Sequence, residues 1–160
     1  MRLNTRRLVA SLVCAGVVTW LAGAAFAQTD SQVGVWKLDV AKSKYSPGPA
    51  PKSGTTTIEA AGKGSKVVVD QALAEGDRHW GFTGDYDGKD TPVTGNPDVD
   101  TVARTRVNAR TVKSVNKKGG KIVTTQTSAV SSDGKTRTVT TTGVNAKGEK
   151  VHNVAVYTKQ

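Results

Sequence analysis

Residues 121–144 read KIVTTQTSAVSSDGKTRTVTTTGV. Two runs dense in Val, Ile and Thr, Lys121 to Val130 and Thr136 to Thr142, flank Asp133-Gly134. β-Branched side chains favour extended backbone, and Asp-Gly supplies the positive φ of a tight hairpin, so the stretch predicts two neighbouring antiparallel strands.

The same grammar continues on both sides. Val35 to Val40, Thr55 to Ala60, Lys66 to Ala72, Arg78 to Tyr86, Thr101 to Val107, Thr111 to Asn116 and Val151 to Lys159 are further short runs of this kind. Gly62-Lys63-Gly64, Asp87-Gly88, Lys118-Gly119-Gly120 and Lys147-Gly148 punctuate them with turn residues. Nothing after residue 30 carries helical periodicity. Eight or nine short antiparallel strands predict an all-β domain, an up-and-down barrel or a sandwich, and a barrel has the advantage of closing its edges. Two stretches break the rhythm. Ser46 to Pro51 holds three prolines, which lack the ladder donor, and is expected to cross in extended form between the first and second strands. Thr91 to Pro97 is expected to be a loop at a barrel mouth, either functional or a plain connection.

The N-terminal segment has a different character. Arg2, Arg6 and Arg7 precede an apolar run from Leu8 to Gly23, and Ala25-Phe26-Ala27 provides a small-x-small site before polar Gln28. This is the pattern of a secretory signal, with residues 1–27 as a signal helix removed on export and 28–160 as one periplasmic or secreted domain. The alternative is an uncleaved anchor, since the apolar run approaches the ~20 residues that span a bilayer. Cys14, the single cysteine, lies inside this segment. Residues 28–160 therefore hold no disulfide, thiolate metal site or cysteine nucleophile.

Charge divides the remainder. Residues 28–100 carry 8 Lys and Arg against 11 Asp and Glu, and residues 101–160 carry 12 against 2. Arg104, Arg106 and Arg137, with Lys113 and Lys121, are expected to form a basic outer surface able to bind anionic envelope polymer such as lipopolysaccharide weakly. The competing reading is a solvated face that blunts sheet edges. The aromatic residues point elsewhere. Trp80, Phe82 and Tyr86 share one parity along a single expected strand, and Trp36 and Tyr157 lie on the terminal strands that closure would bring together. Trp80, Phe82, Tyr86 and Tyr157 are accordingly the candidate ligand-binding residues, the alternative being that these rings simply fill the core. Threonine-rich strands imply that any cavity is partly hydrated and poorly suited to a long alkyl chain.

Gly34-Val35-Trp36-Lys37-Leu38 resembles the G-x-W element that opens lipocalins and fatty-acid-binding proteins, and Val154 to Lys159 resembles the closing strand of the latter. The Asp-Gly-Lys hairpins at Asp87 to Lys89 and Asp133 to Lys135 add to the similarity. From Gly34 to Gln160 the chain is also similar to a family of small secreted bacterial proteins sharing the G-x-W-K-L start, Lys42-Ser43-Lys44, the loop Pro92 to Pro97 and the hairpin Asn145 to Gly148. The calycin resemblance implies a lipocalin-like barrel with an internal cavity, Trp36 packed at its closed end and a small apolar or amphipathic ligand inside. Fatty-acid-binding proteins usually place an arginine two positions before the last-strand tyrosine, where this chain has Ala155 before Tyr157. A carboxylate is therefore expected to lack its partner.

No catalytic constellation is present in the sequence. His79 and His152 lack partners at metal-ligand spacing, and Gly88 follows Asp85 and Asp87 too early for an EF-hand loop. The glycine turns do not open helices as phosphate loops do. The sequence thus predicts a non-enzymatic, monomeric barrel without catalytic residues, metal, cofactor, specific nucleic-acid binding or a membrane span after signal cleavage.

Overall fold

The computed structural model describes residues 30–145 and 147–160. The signal helix expected at residues 1–27 lies outside the described residues. Ten strands follow one another: β1 (Gly34–Lys44), β2 (Ser53–Ala61), β3 (Gly64–Ala72), β4 (Asp77–Asp85), β5 (Asp87–Pro92), β6 (Thr101–Asn108), β7 (Thr111–Lys118), β8 (Lys121–Val130), β9 (Thr136–Val144) and β10 (Lys150–Lys159). There is no helix among the described residues. Each strand pairs antiparallel with its neighbours in sequence except β4 with β5, and β1 pairs with β10. The spatial order β4-β3-β2-β1-β10-β9-β8-β7-β6-β5 is a meander wrapped into a nearly closed barrel-shaped sheet.

The number of strands exceeds the expected eight or nine, and β5 is the addition. Asp87, Gly88, Lys89 and Asp90 are poor strand formers read from sequence as a turn, and Thr91-Pro92 as the start of a loop. They pair nonetheless, because β5 is an edge: its ladder to β6 is irregular between Asp87 and Asp90, and an edge tolerates Pro92.

The seam between β4 and β5 is bridged at one point. Gly81 N–H donates to Thr94 O at 3.0 Å and Thr94 N–H to Gly81 O at 2.9 Å. On the other side of β4, a β-carbon on Gly81 would meet the Val67 carbonyl oxygen of β3 at 2.6 Å, so the close approach of β3 to β4 needs glycine at this position.

Alternation along the strands builds the interior. Trp36 and Leu38 of β1, Ile58 of β2, Val67 and Val69 of β3, Val139 of β9, and Ala155 and Tyr157 of β10 form the core. Because the meander reverses at every turn, the β2–β3, β4–β5, β6–β7 and β8–β9 connections gather at one end of the barrel. The turn at residues 30–33 covers that end. Gln32 is 1% exposed; its Nε2 donates to Arg110 O at 3.0 Å, and Ser31 Oγ donates to Ala109 O at 2.8 Å. Trp36, fully buried as expected, donates its indole N–H to Gln32 O at 2.8 Å and so packs at the closed end.

Candidate functional site

Between the closed end and the opposite mouth lies a cavity of about 620 Å³, within the range of sites for small molecules. Inward positions of nearly every strand line it. Val69, Trp80, Phe82 and Val139 give it apolar wall, while Thr56, Gln126 and Thr141 give it polar wall. Trp80 and Phe82, two residues apart on β4, stack with ring centres 6.3 Å apart and planes at 24°. The loop expected at the mouth is there: Asn96, Pro97, Asp98 and Val99 line the cavity, and Asp98 accepts a hydrogen bond from Arg78 Nη1 at 3.1 Å.

Three of the four aromatic residues singled out from sequence, Trp80, Phe82 and Tyr157, line this cavity. The fourth, Tyr86, sits just past the end of β4 in a polar network at the closed end, where its hydroxyl donates to Asp30 Oδ2 at 2.7 Å. Asp30 also accepts from Arg106 Nη2 at 2.6 Å and from the Gln32 N–H at 3.0 Å. Burial pushes the Asp30 carboxyl up, but these hydrogen bonds outweigh it and hold the group below the usual carboxylate range. Burial and the bond to Asp30 push the Tyr86 hydroxyl up. Asp30 and Gln32 had no signal in the sequence beyond being polar residues after an apolar segment.

The arginines require a correction. Arg104, expected on an outer basic surface, is 5% exposed and lines the cavity. Arg104 and Arg106 do share a face of β6, but it is the face of buried Val102. Arg106 reaches the closed end, and Arg137 points inward from β9 one pleat before Val139. Arg104 Nη1 donates to Ser65 Oγ at 2.9 Å, and its guanidinium carbon lies 5.1 Å from the Phe82 ring centre and 4.4 Å from that of Tyr86. Arg137 Nε donates to Ser128 Oγ at 2.8 Å and to Gln32 Oε1 at 3.3 Å. Burial pulls the Arg137 guanidinium down to about 10, with the neighbouring charge of Arg104 adding to the effect. Burial also lowers Arg104.

These two cations change what the interior can do. The position two before Tyr157 is indeed a buried alanine, Ala155, yet Arg104 on β6 and Arg137 on β9 bring positive charge into the cavity from other walls. The expectation that an acid would find no interior cation does not hold. Lys113, by contrast, lies on the outer face of β7, and Lys121 is exposed at the start of β8.

His79 is exposed on β4 beside Asp70, and His152 is exposed on β10. No cluster of three or more His, Cys, Asp or Glu with metal-binding geometry occurs among the described residues. No protein-family model matches the chain, and no curated protein matches it.

Proposed function

We propose that the protein is an exported, non-enzymatic, lipocalin-like barrel that acts in the periplasm or outside the cell and binds one small amphipathic or aromatic molecule in its interior. The observation that carries this reading is the cavity itself: about 620 Å³, with the stacked Trp80 and Phe82 on one wall and polar side chains on others. Flat aromatic walls favour flat ligands, and the polar positions offer hydrogen bonds that fix orientation. The other reading, an envelope module that meets anionic polymer through its basic second half, is weakened because Arg104 and Arg137 face inward.

Titration with the neutral probe N-phenyl-1-naphthylamine, followed by its own fluorescence and by tryptophan quenching, tests the proposal. Saturable binding in the micromolar range that Trp80→Ala abolishes is expected. A folded protein that shows no saturation with this probe or with other small hydrophobic probes overturns the reading, and salt-sensitive binding to lipopolysaccharide would then favour the envelope module.

A further inference from the structure

Arg104 and Arg137 bring two cations to the cavity wall, and the carboxylate whose charge acts on Arg104, Asp30, is bonded to Arg106 and Tyr86 instead. Among the described residues neither forms an ion pair with a carboxylate, whereas Arg78 and Arg106 both do. Arg104 is held by Ser65 Oγ, and Arg137 by Ser128 Oγ and Gln32 Oε1, all of them neutral oxygens. Desolvating a guanidinium is costly, and here aromatic faces and neutral acceptors offset that cost only in part, with no carboxylate among the described residues bonded to the buried Arg104 or the half-buried Arg137.

The unused donors show where a partner would sit. Among the described residues Arg137 donates through Nε and makes no hydrogen bond through Nη1 or Nη2, and Arg104 donates through Nη1 to Ser65 with the Tyr86 hydroxyl also close by. Yet no buried side-chain nitrogen or oxygen among the described residues lacks a partner. The free nitrogens therefore keep accessible surface, and for residues that line the cavity from inside the barrel that surface is the cavity wall. Both guanidiniums line the one cavity, and the charge of Arg104 acts on Arg137. A guanidinium's forked N–H groups match an oxyanion in geometry as well as charge.

We infer that Arg104 and Arg137 together form an interior oxyanion site, which makes the ligand an amphipathic acid whose head group, a carboxylate or a phosphate monoester, lies on the two guanidiniums while its apolar body rests against Trp80 and Phe82. This inference rests on the proposed interior-binding function and names its ligand class. It differs in layout from the fatty-acid-binding arrangement that the sequence resembles, since the position used there is Ala155 and the cations come from β6 and β9.

Calorimetric titration of the signal-free protein with 1-naphthaleneacetate, 1-naphthyl phosphate and the neutral methyl ester of 1-naphthaleneacetic acid tests it. At least one of the two acids is expected to bind tenfold or more tighter than the ester, and which one does so identifies the head group. In Arg137→Gln and in Arg104→Gln that preference should fall toward one, and in Arg137→Lys, which keeps charge but loses the fork, it should fall part of the way. Equal affinity of acids and ester in the wild type overturns the oxyanion site while leaving interior binding intact. Binding of none of the three overturns the interior-binding reading itself. The wild-type preference needs no variant, so a substitution that fails to fold does not remove the test.

Discussion

Arg137 stands directly opposite Tyr157 in the β9–β10 ladder, and its guanidinium carbon lies 5.4 Å from the centre of the Tyr157 ring. The pair joins two features of the barrel. Tyr157 belongs to the strand that closes the sheet onto β1, and Arg137 carries charge into the cavity from the adjacent strand. A cation over an aromatic face is stabilised by the ring quadrupole, more so away from water, which helps to offset the burial of Arg137 without neutralising it. Closure and site therefore share a wall.

Closure itself depends on Trp36. Its ring is fully buried, its indole N–H is satisfied by Gln32 O, and it sits in the strand that joins β10 to β2. Trp36→Ala is expected to lower stability by roughly 3 to 5 kcal/mol, the loss typical of truncating a buried aromatic. Urea denaturation followed by circular dichroism gives the number, and an unchanged midpoint would show that the closed end does not need the ring.

The polar plug at the closed end predicts a pH dependence. Asp30 is held below the usual carboxylate range by Arg106, Tyr86 and the Gln32 N–H. A depressed carboxylate stabilises the fold at pH above its unfolded value, near 4, and loses that contribution as pH falls through the lower folded value. Asp30→Asn should therefore cost about 1 to 3 kcal/mol at pH 7, as expected for lost hydrogen bonds to a charged group. The difference from wild type should shrink steadily below pH ~4. A gap that stays constant from pH 7 to pH 2 would mean that the charge of Asp30 contributes nothing.

The seam makes a paired prediction about glycine. Gly95 has φ +78°, and a β-carbon there would collide with the His79 carbonyl oxygen across the β4–β5 seam; Gly119 has φ +55° and open space around it. Both substitutions by alanine pay the left-handed backbone penalty, of about 1 kcal/mol, but only Gly95→Ala must also push the seam apart. Gly95→Ala should be the more destabilising, and hydrogen exchange at Gly81 and Thr94 should speed up in that variant alone. Equal losses for the two, with unchanged exchange, would show that the seam is already open in solution.

Much of this architecture is legible in the sequence, for physical reasons that also mark the limits. Strands such as β8 and β9 announce themselves because Val and Thr runs end at Asp133-Gly134, and local turn chemistry fixes antiparallel pairing. β5 does not, because Asp87 to Pro92 gains its extended form from pairing with β6 rather than from its own residues. In the site, the shared parity of Trp80 and Phe82 was enough to place both on the cavity wall. The same rule puts Arg104 and Arg106 on one face, which charge argues to be the outer one and which the structure turns inward. Val102 on the same parity was the available signal that this face is the inner one. No local pattern foretells that Gln32 would cap the barrel and hold Ser128 and Arg137, since those partners lie about a hundred residues away along the chain.

The inward-facing Arg137 also predicts an inverted response to truncation. Arg137 is drawn down from its ordinary value to about 10, first by burial and further by the charge of Arg104. At neutral pH the folded protein without ligand thus carries a charge it solvates poorly. Arg137→Met keeps side-chain bulk and removes that charge, and Ser128 Oγ can still donate to Gln32 Oε1 at 2.8 Å, so no hydroxyl is left stranded. Stability at pH 7 should be unchanged or higher by up to about 2 kcal/mol, as when other buried charges give way to apolar residues, whereas truncating an ordinary core side chain costs about 2 to 5. The sign with pH follows from the lowered value. Above about pH 10 the folded state releases the proton while the unfolded chain retains it, so wild-type stability should climb relative to the variant above about pH 10 and stay parallel to it below that. Denaturation midpoints at pH 7, 9 and 11 measure both effects. A loss of 2 kcal/mol or more at pH 7, by order of magnitude, would show that the Nε hydrogen bonds outweigh the cost of burial, and that Arg137 is a structural brace rather than a cation held in reserve for an anion.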